Sequence, residues 1–142
     1  MKQTVKMVGV FCLLAMLCLS FAACRKTETV TDLWSNATYT ENTELGEGAK
    51  TLTVDVVAQD KTVTFTLHSD AKTVGEALLE HKLIAGEMGA YGMYVKVVNG
   101  ITADYDKDQS FWSFTKNGES MMTGVDGAEF SDGDQYELIY TK

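Results

Sequence analysis

From Thr51 onward the chain alternates between apolar and polar residues. Leu52, Val54 and Val56 alternate with Thr51, Thr53 and Asp55; after Gln59-Asp60-Lys61, Val63, Phe65 and Leu67 alternate with Thr62, Thr64, Thr66 and His68. Successive side chains on a strand point to opposite faces, and β-branched residues suit a pleated, half-buried surface. Two such runs around a polar turn predict a hairpin. At Thr73 the period changes. Thr73-Val74-Gly75-Glu76 fits a capping box, and Val74, Ala77, Leu78 and His81 follow helical spacing, which predicts a helix ending near Gly86. Gly75 in its first turn costs about 1 kcal/mol relative to Ala, so this helix is expected to be short and dependent on packing. Further strands are predicted over Tyr91–Val98, over Phe111–Lys116 before an Asn117-Gly118 type I′ turn, and over Tyr136–Thr141 after Asp132-Gly133. The expected class is α+β: a mostly antiparallel sheet with one helix after the first hairpin, a β-grasp-like arrangement over residues 51–142.

The preceding residues lack this regularity. Residues 24–50 are rich in Thr, Glu, Asn and Gly, with Leu33, Trp34, Tyr39 and Leu45 scattered singly. They are expected to form a tether, flexible because the chain has no proline. Residues 1–23 have the form of a signal peptide: Lys2 and Lys6, an apolar run from Val8 to Phe21, then Ala22-Ala23 before Cys24. Small residues before a cysteine resemble a bacterial lipoprotein cleavage site. On that resemblance Cys24 is lipidated and anchors the protein in the lipid bilayer at the extracytoplasmic face of the cell membrane. No cysteine follows Cys24, so neither a disulfide nor a thiol metal site is expected in the mature domain.

Charge narrows the partners. The formal net charge is −8; loss of Lys2 and Lys6 with the signal leaves ten basic against twenty acidic residues, a net −10. Such a surface repels nucleic acid and anionic headgroups, so nucleic-acid binding is excluded. Catalytic patterns are absent as well. The two histidines, His68 and His81, have no Cys, His or carboxylate at metal-ligand spacing, and GxSxG, HExxH and phosphate-loop motifs do not occur. Asp104-Tyr105-Asp106-Lys107-Asp108 starts like a calcium loop, but Gln109 and Thr115 stand where the EF-hand needs Gly and Glu. A solvated loop is expected there, and another around Asp126, Glu129, Asp132 and Asp134. The chain is expected not to be an enzyme and to require no cofactor or metal.

What remains is an aromatic and methionine-rich C-terminal half. The period of two places Trp112 and Phe114 on one face of their strand and Phe111 on the other. By this pattern Trp112 is core and Phe111 exposed. The adjacent Met121 and Met122 cannot both face inward, which makes their turn a candidate recognition patch.

The stretch Phe111-Trp112-Ser113-Phe114-Thr115-Lys116-Asn117-Gly118, followed by Gly124-Val125 and by Phe130-Ser131-Asp132-Gly133-Asp134-Gln135-Tyr136, resembles the end of the C-terminal β-domain of the vertebrate cobalamin carriers, transcobalamin and intrinsic factor. The resemblance reaches back to about Thr73 and looks like that of small bacterial extracytoplasmic transcobalamin-C-terminal-like domains. Phe111 departs from the carriers, which have Tyr there, and so lacks a hydroxyl. The resemblance implies a binding module whose ligand is cobalamin or a related corrinoid, and Trp112 and Gly124-Val125 are the residues that match the carriers; with Phe111 beside Trp112 and the Met121-Met122 turn they make up the expected contact set. It also implies that Trp112 faces the ligand rather than the core, and the two readings of Trp112 stand side by side. The large helical domain that completes the carriers' site has no counterpart in this chain. The competing function is a protein–protein interaction or structural domain of the cell envelope, docking an envelope or transporter protein through the Met121-Met122 rim or through a sheet edge such as Thr62–His68.

Overall fold

Nine strands, one seven-residue helix and two single turns of helix make up the described residues, 31–142, of a computed structural model. After a 3-10 turn at Leu33–Asn36 come β1 (Thr43–Gly46), β2 (Lys50–Ala58), β3 (Lys61–Ser69), α1 (Val74–Glu80), β4 (Ile84–Gly89), β5 (Gly92–Val98), β6 (Ile101–Thr102), α2 (Tyr105–Asp108), β7 (Phe111–Lys116), β8 (Glu119–Ser120) and β9 (Asp134–Thr141). Cys24 and the expected signal segment lie outside the described residues.

The expected α+β, mostly antiparallel β-grasp-like class is not what forms. The fold is predominantly β and has two sheets. The larger has strand order β1-β3-β2-β9-β7-β8, the smaller β4-β5-β6. The large sheet is mixed, because β1 pairs parallel with β3 and β9 pairs parallel with β2. Alternation identifies a strand but says nothing about the direction of its neighbour, so these two parallel pairings escape a local reading.

The β2–β3 hairpin forms as expected, in register from Lys50↔Ser69 to Ala58↔Lys61. Its apolar row continues across the sheet: Val63, Val56, Leu138 and Phe114 are successive neighbours. This face, α1 and the base of the small sheet share one core, with Phe65, Leu67, Leu78, Val98, Ile101 and Tyr136 essentially inaccessible. The opposite face is polar and cross-braced: Asp55 accepts from Thr64 Oγ1 at 2.7 Å and from Gln135 Nε2 at 2.9 Å.

Helix α1 has its capping box, with Glu76 N donating to Thr73 Oγ1 at 3.2 Å and the Glu76 carboxylate accepting from Thr73 N. It ends at Glu80, not near Gly86; residues 84–89 are strand. The unfavourable Gly75 has a packing reason. A Cβ there would lie 2.9 Å from Asp126 N, and Gly75 N donates to Val125 O at 2.8 Å. The 125–128 loop thus crosses directly over the helix N-terminus.

The expected tether carries structure from Asp32 on. Trp34 is buried and its indole N–H donates to Ala58 O at 2.9 Å. Fully buried Asn99 bonds both backbone groups of Tyr39, donating to its O at 2.8 Å and accepting from its N at 2.9 Å. Next, β1 runs along β3 from Thr43↔Phe65 to Gly46↔His68. Thr62–His68 is therefore not a free edge: most of it is covered by residues whose sparse, aperiodic apolar side chains resembled a linker. The Asp104–Asp108 stretch, expected to be a plain loop, is instead the one-turn helix α2, capped by Asp104 accepting from Asp106 N and Lys107 N.

Candidate ligand-binding site

The β7–β8 hairpin places the residues singled out from the sequence. Asn117 and Gly118 have φ of 53° and 82°, as a type I′ turn requires. After β8, Met121 N donates to Phe114 O at 3.0 Å, which lays the chain back beside β7. Of the adjacent methionines, Met121 packs half-buried against the core and Met122 is fully exposed. They line an open cleft of about 510 Å³ together with Lys116, Asn117, Glu119, Ser120 and Thr123. Thioethers supply adaptable apolar contact on one side, while hydroxyl, amide, ammonium and carboxylate groups are available around them.

Lys116 is held at the lip by Asp134, whose Oδ2 lies 3.2 Å from its Nζ, and its ammonium sits 5.2 Å from the centre of the Tyr136 ring. The hydrogen bond to Asp134 raises the Lys116 pKa above its ordinary value. Asp134 is shifted down, chiefly because Ser131 N donates to its carboxylate at 2.9 Å and secondarily because of Lys116. The lip is thus braced against the first residue of β9.

The remaining expected contact residues do not join this cleft. Phe111 is exposed on the polar face of the sheet, with its ring 6.5 Å from that of Tyr105. Trp112 points the other way, is only 8 % exposed, and meets Tyr140 edge-on at 5.6 Å. Adjacent strand residues cannot share a face, so a joint Phe111–Trp112 rim does not exist. Trp112 belongs to the core, although its indole N–H has no hydrogen-bond partner. Val125 is buried and its carbonyl receives Gly75 N–H; Gly124 is half-buried beside Met93 O. These two residues anchor the loop that presents the methionines.

One exposed element was not anticipated as a hairpin. The β4–β5 pair carries Met88, Tyr91 and Tyr94 into solvent, and Asp126 Oδ1 accepting from Met93 N at 3.1 Å ties it to the 124–126 loop. The glycines at 86, 89 and 92 were the available signal, since they bracket a run in which apolar residues do not alternate. Among the described residues no group of three or more His, Cys, Asp or Glu could hold a metal ion, and no helix is long and apolar enough to cross a membrane.

The mixed β-sheet backed by one short helix, with a smaller sheet beside it, has the fold of part of a cobalamin carrier. Haptocorrin in complex with Cbi, a corrinoid, superposes on 69% of this chain with a TM-score of 0.56 at 15% identity. The matched region is about a quarter (26%) of the haptocorrin chain. The likeness is one of fold. The chain belongs to the family described as "Domain of unknown function (DUF4430)", which matches residues 71–142. A candidate metal-binding protein from Ruminococcus gnavus, solved as a crystal structure, is 39% identical over 66% of this chain and 97% of its own, with a TM-score of 0.62. No curated protein matches the sequence.

Proposed function

We propose that this protein is a lipid-anchored extracytoplasmic binding module, attached to the membrane through Cys24, that holds a flat amphipathic ligand of the corrinoid class against the Met121–Met122 lip. The observation that carries this reading is the open cleft in which a fully exposed methionine stands among Lys116, Asn117, Glu119 and Ser120, on a fold shared with a corrinoid carrier's β-domain. Such ligands need apolar contact plus a few placed polar groups. A cleft open on one side covers one face of the ligand, so tight binding calls for a second surface from a partner protein or another copy. The crystal structure from Ruminococcus gnavus, described as a candidate metal-binding protein, lends support of another kind, because a corrinoid is itself a metal complex.

The test is a titration of the protein with cyanocobalamin and hydroxocobalamin, read from the corrinoid absorption bands. Met122→Ser should weaken binding several-fold and leave thermal stability unchanged, because the residue is fully exposed. Phe111→Ser, on the opposite face, should leave binding intact. Absence of any corrinoid response from the folded protein would refute the ligand. Cys24→Ala should release the protein from the membrane or leave an unprocessed precursor.

A further inference from the structure

Strand β4, with six residues, is the longest terminal strand among the described residues. A terminal strand presents unpaired backbone N–H and C=O groups, which proteins guard with charge, covering segments or very short strands. The large sheet ends on short strands, β1 with four residues and β8 with two. The smaller sheet ends on β4, whose residues 85–89 are all exposed, so both faces of the strand meet solvent. Beyond a bulge at Ala85/Gly86 the pairing with β5 is regular to Gly89↔Gly92, leaving the outer side of residues 86–89 without a strand partner. Gly86 makes this possible, since a Cβ there would fall 2.0 Å from Tyr94 O.

The chemistry beside that rim is specific. Glu87 is the strand's only charged residue, and its cross-strand neighbour is Tyr94. With Lys96, the α2 cap Asp104 and the α2 residues Tyr105 and Asp106 they line a cleft of about 330 Å³. Glu87 Oε1 lies 3.2 Å from Lys96 Nζ and raises the Lys96 pKa, with smaller contributions from Asp104 and Asp106. Three carboxylates thus face one ammonium, leaving two negative charges in excess. Tyr94 and Tyr105 are both about half exposed and add aromatic surface, which attracts cations through the ring quadrupole.

We propose that the open edge of β4 docks an extended, lysine- or arginine-bearing segment of a partner protein, whose backbone adds a fourth strand to the small sheet and whose cationic side chain enters the Tyr94–Tyr105 cleft. Main-chain pairing supplies affinity in this mode and the side-chain cleft supplies selection. A second copy of this chain is the poorer occupant. It would set Glu87 against the same edge of a protein whose own net charge is −8. The site is separate from the methionine lip and stands whether or not a corrinoid binds there.

The test uses the full chain in a mild nonionic detergent and two probes, an alternating Lys-Val octapeptide and its Glu-Val counterpart, read by amide hydrogen exchange. The basic probe should slow exchange at residues 85–89 and leave β2 and β9 unchanged. Glu87→Lys should weaken its binding about tenfold, as reversal of a complementary charge does, and Tyr105→Ser should weaken it less. The acidic probe should protect nothing. The proposal is overturned by equal protection from both probes, by protection elsewhere than β4, by unchanged binding to Glu87→Lys, or by concentration-dependent protection of β4 without peptide, which would mean self-pairing.

Discussion

The two sheets share residue types but stand differently toward water. In the large sheet β2 and β3 bury every second residue, whereas in the small sheet β4 buries only Ile84 and exposes the next five residues on both faces. A strand with one face on a core must alternate; a hairpin wet on both sides is under no such demand. Stability should therefore be concentrated in one sheet, and the freedom to bind in the other.

The strongest way to break that comparison is paired truncation. Phe65→Ala, at a fully buried position, should cost about 3–5 kcal/mol. Met88→Ala, on the exposed hairpin, should fall within about 0.5 kcal/mol of the parent. Denaturant unfolding measures both, and similar losses would mean that the hairpin is integral to the core.

The N-terminal segment sharpens the contrast, because it covers β3 and supplies the large sheet's terminal strand. Trp34→Ala removes a buried indole and its hydrogen bond to Ala58 O, so a loss of about 3–4 kcal/mol is expected. It should be accompanied by faster amide exchange in β1 and at the adjoining edge of β3. Were residues 32–50 a mere tether, the substitution would be silent. Asn99→Ala should cost about 1–3 kcal/mol, since both backbone groups of Tyr39 lose their partner.

The smallest effect concerns Asp134. Its folded-state pKa lies below the ordinary 3.8, so its ionised form stabilises the fold above that value, and the contribution fades as pH falls through the lower folded value. Asp134→Asn should be less stable than the parent at neutral pH by under about 1 kcal/mol, a part-exposed pair being screened by solvent. The difference should vanish in strong acid. A gap that widened on acidification would show the sign to be wrong.

Local signals in the sequence were enough for the β2–β3 hairpin, the capping box at Thr73 and the Asn117-Gly118 turn, while the period of two and the resemblance left Trp112 between core and contact. Each depends on residues within a few positions of one another, where side-chain period and turn chemistry act directly. Three features needed the tertiary structure. The parallel pairings of β1 with β3 and of β9 with β2 join segments far apart in the chain, and no local pattern encodes direction. Residues 32–50 looked like a linker because their few apolar side chains are spaced for separate pockets. Those pockets, beside Ala58, Phe65 and Asn99, exist only once the sheet has formed. Gly75 reads as a helix defect until the 125–128 loop is seen crossing it. Alternation and caps are properties of short segments, whereas edges, covers and lips are relations between segments that only the folded chain brings together.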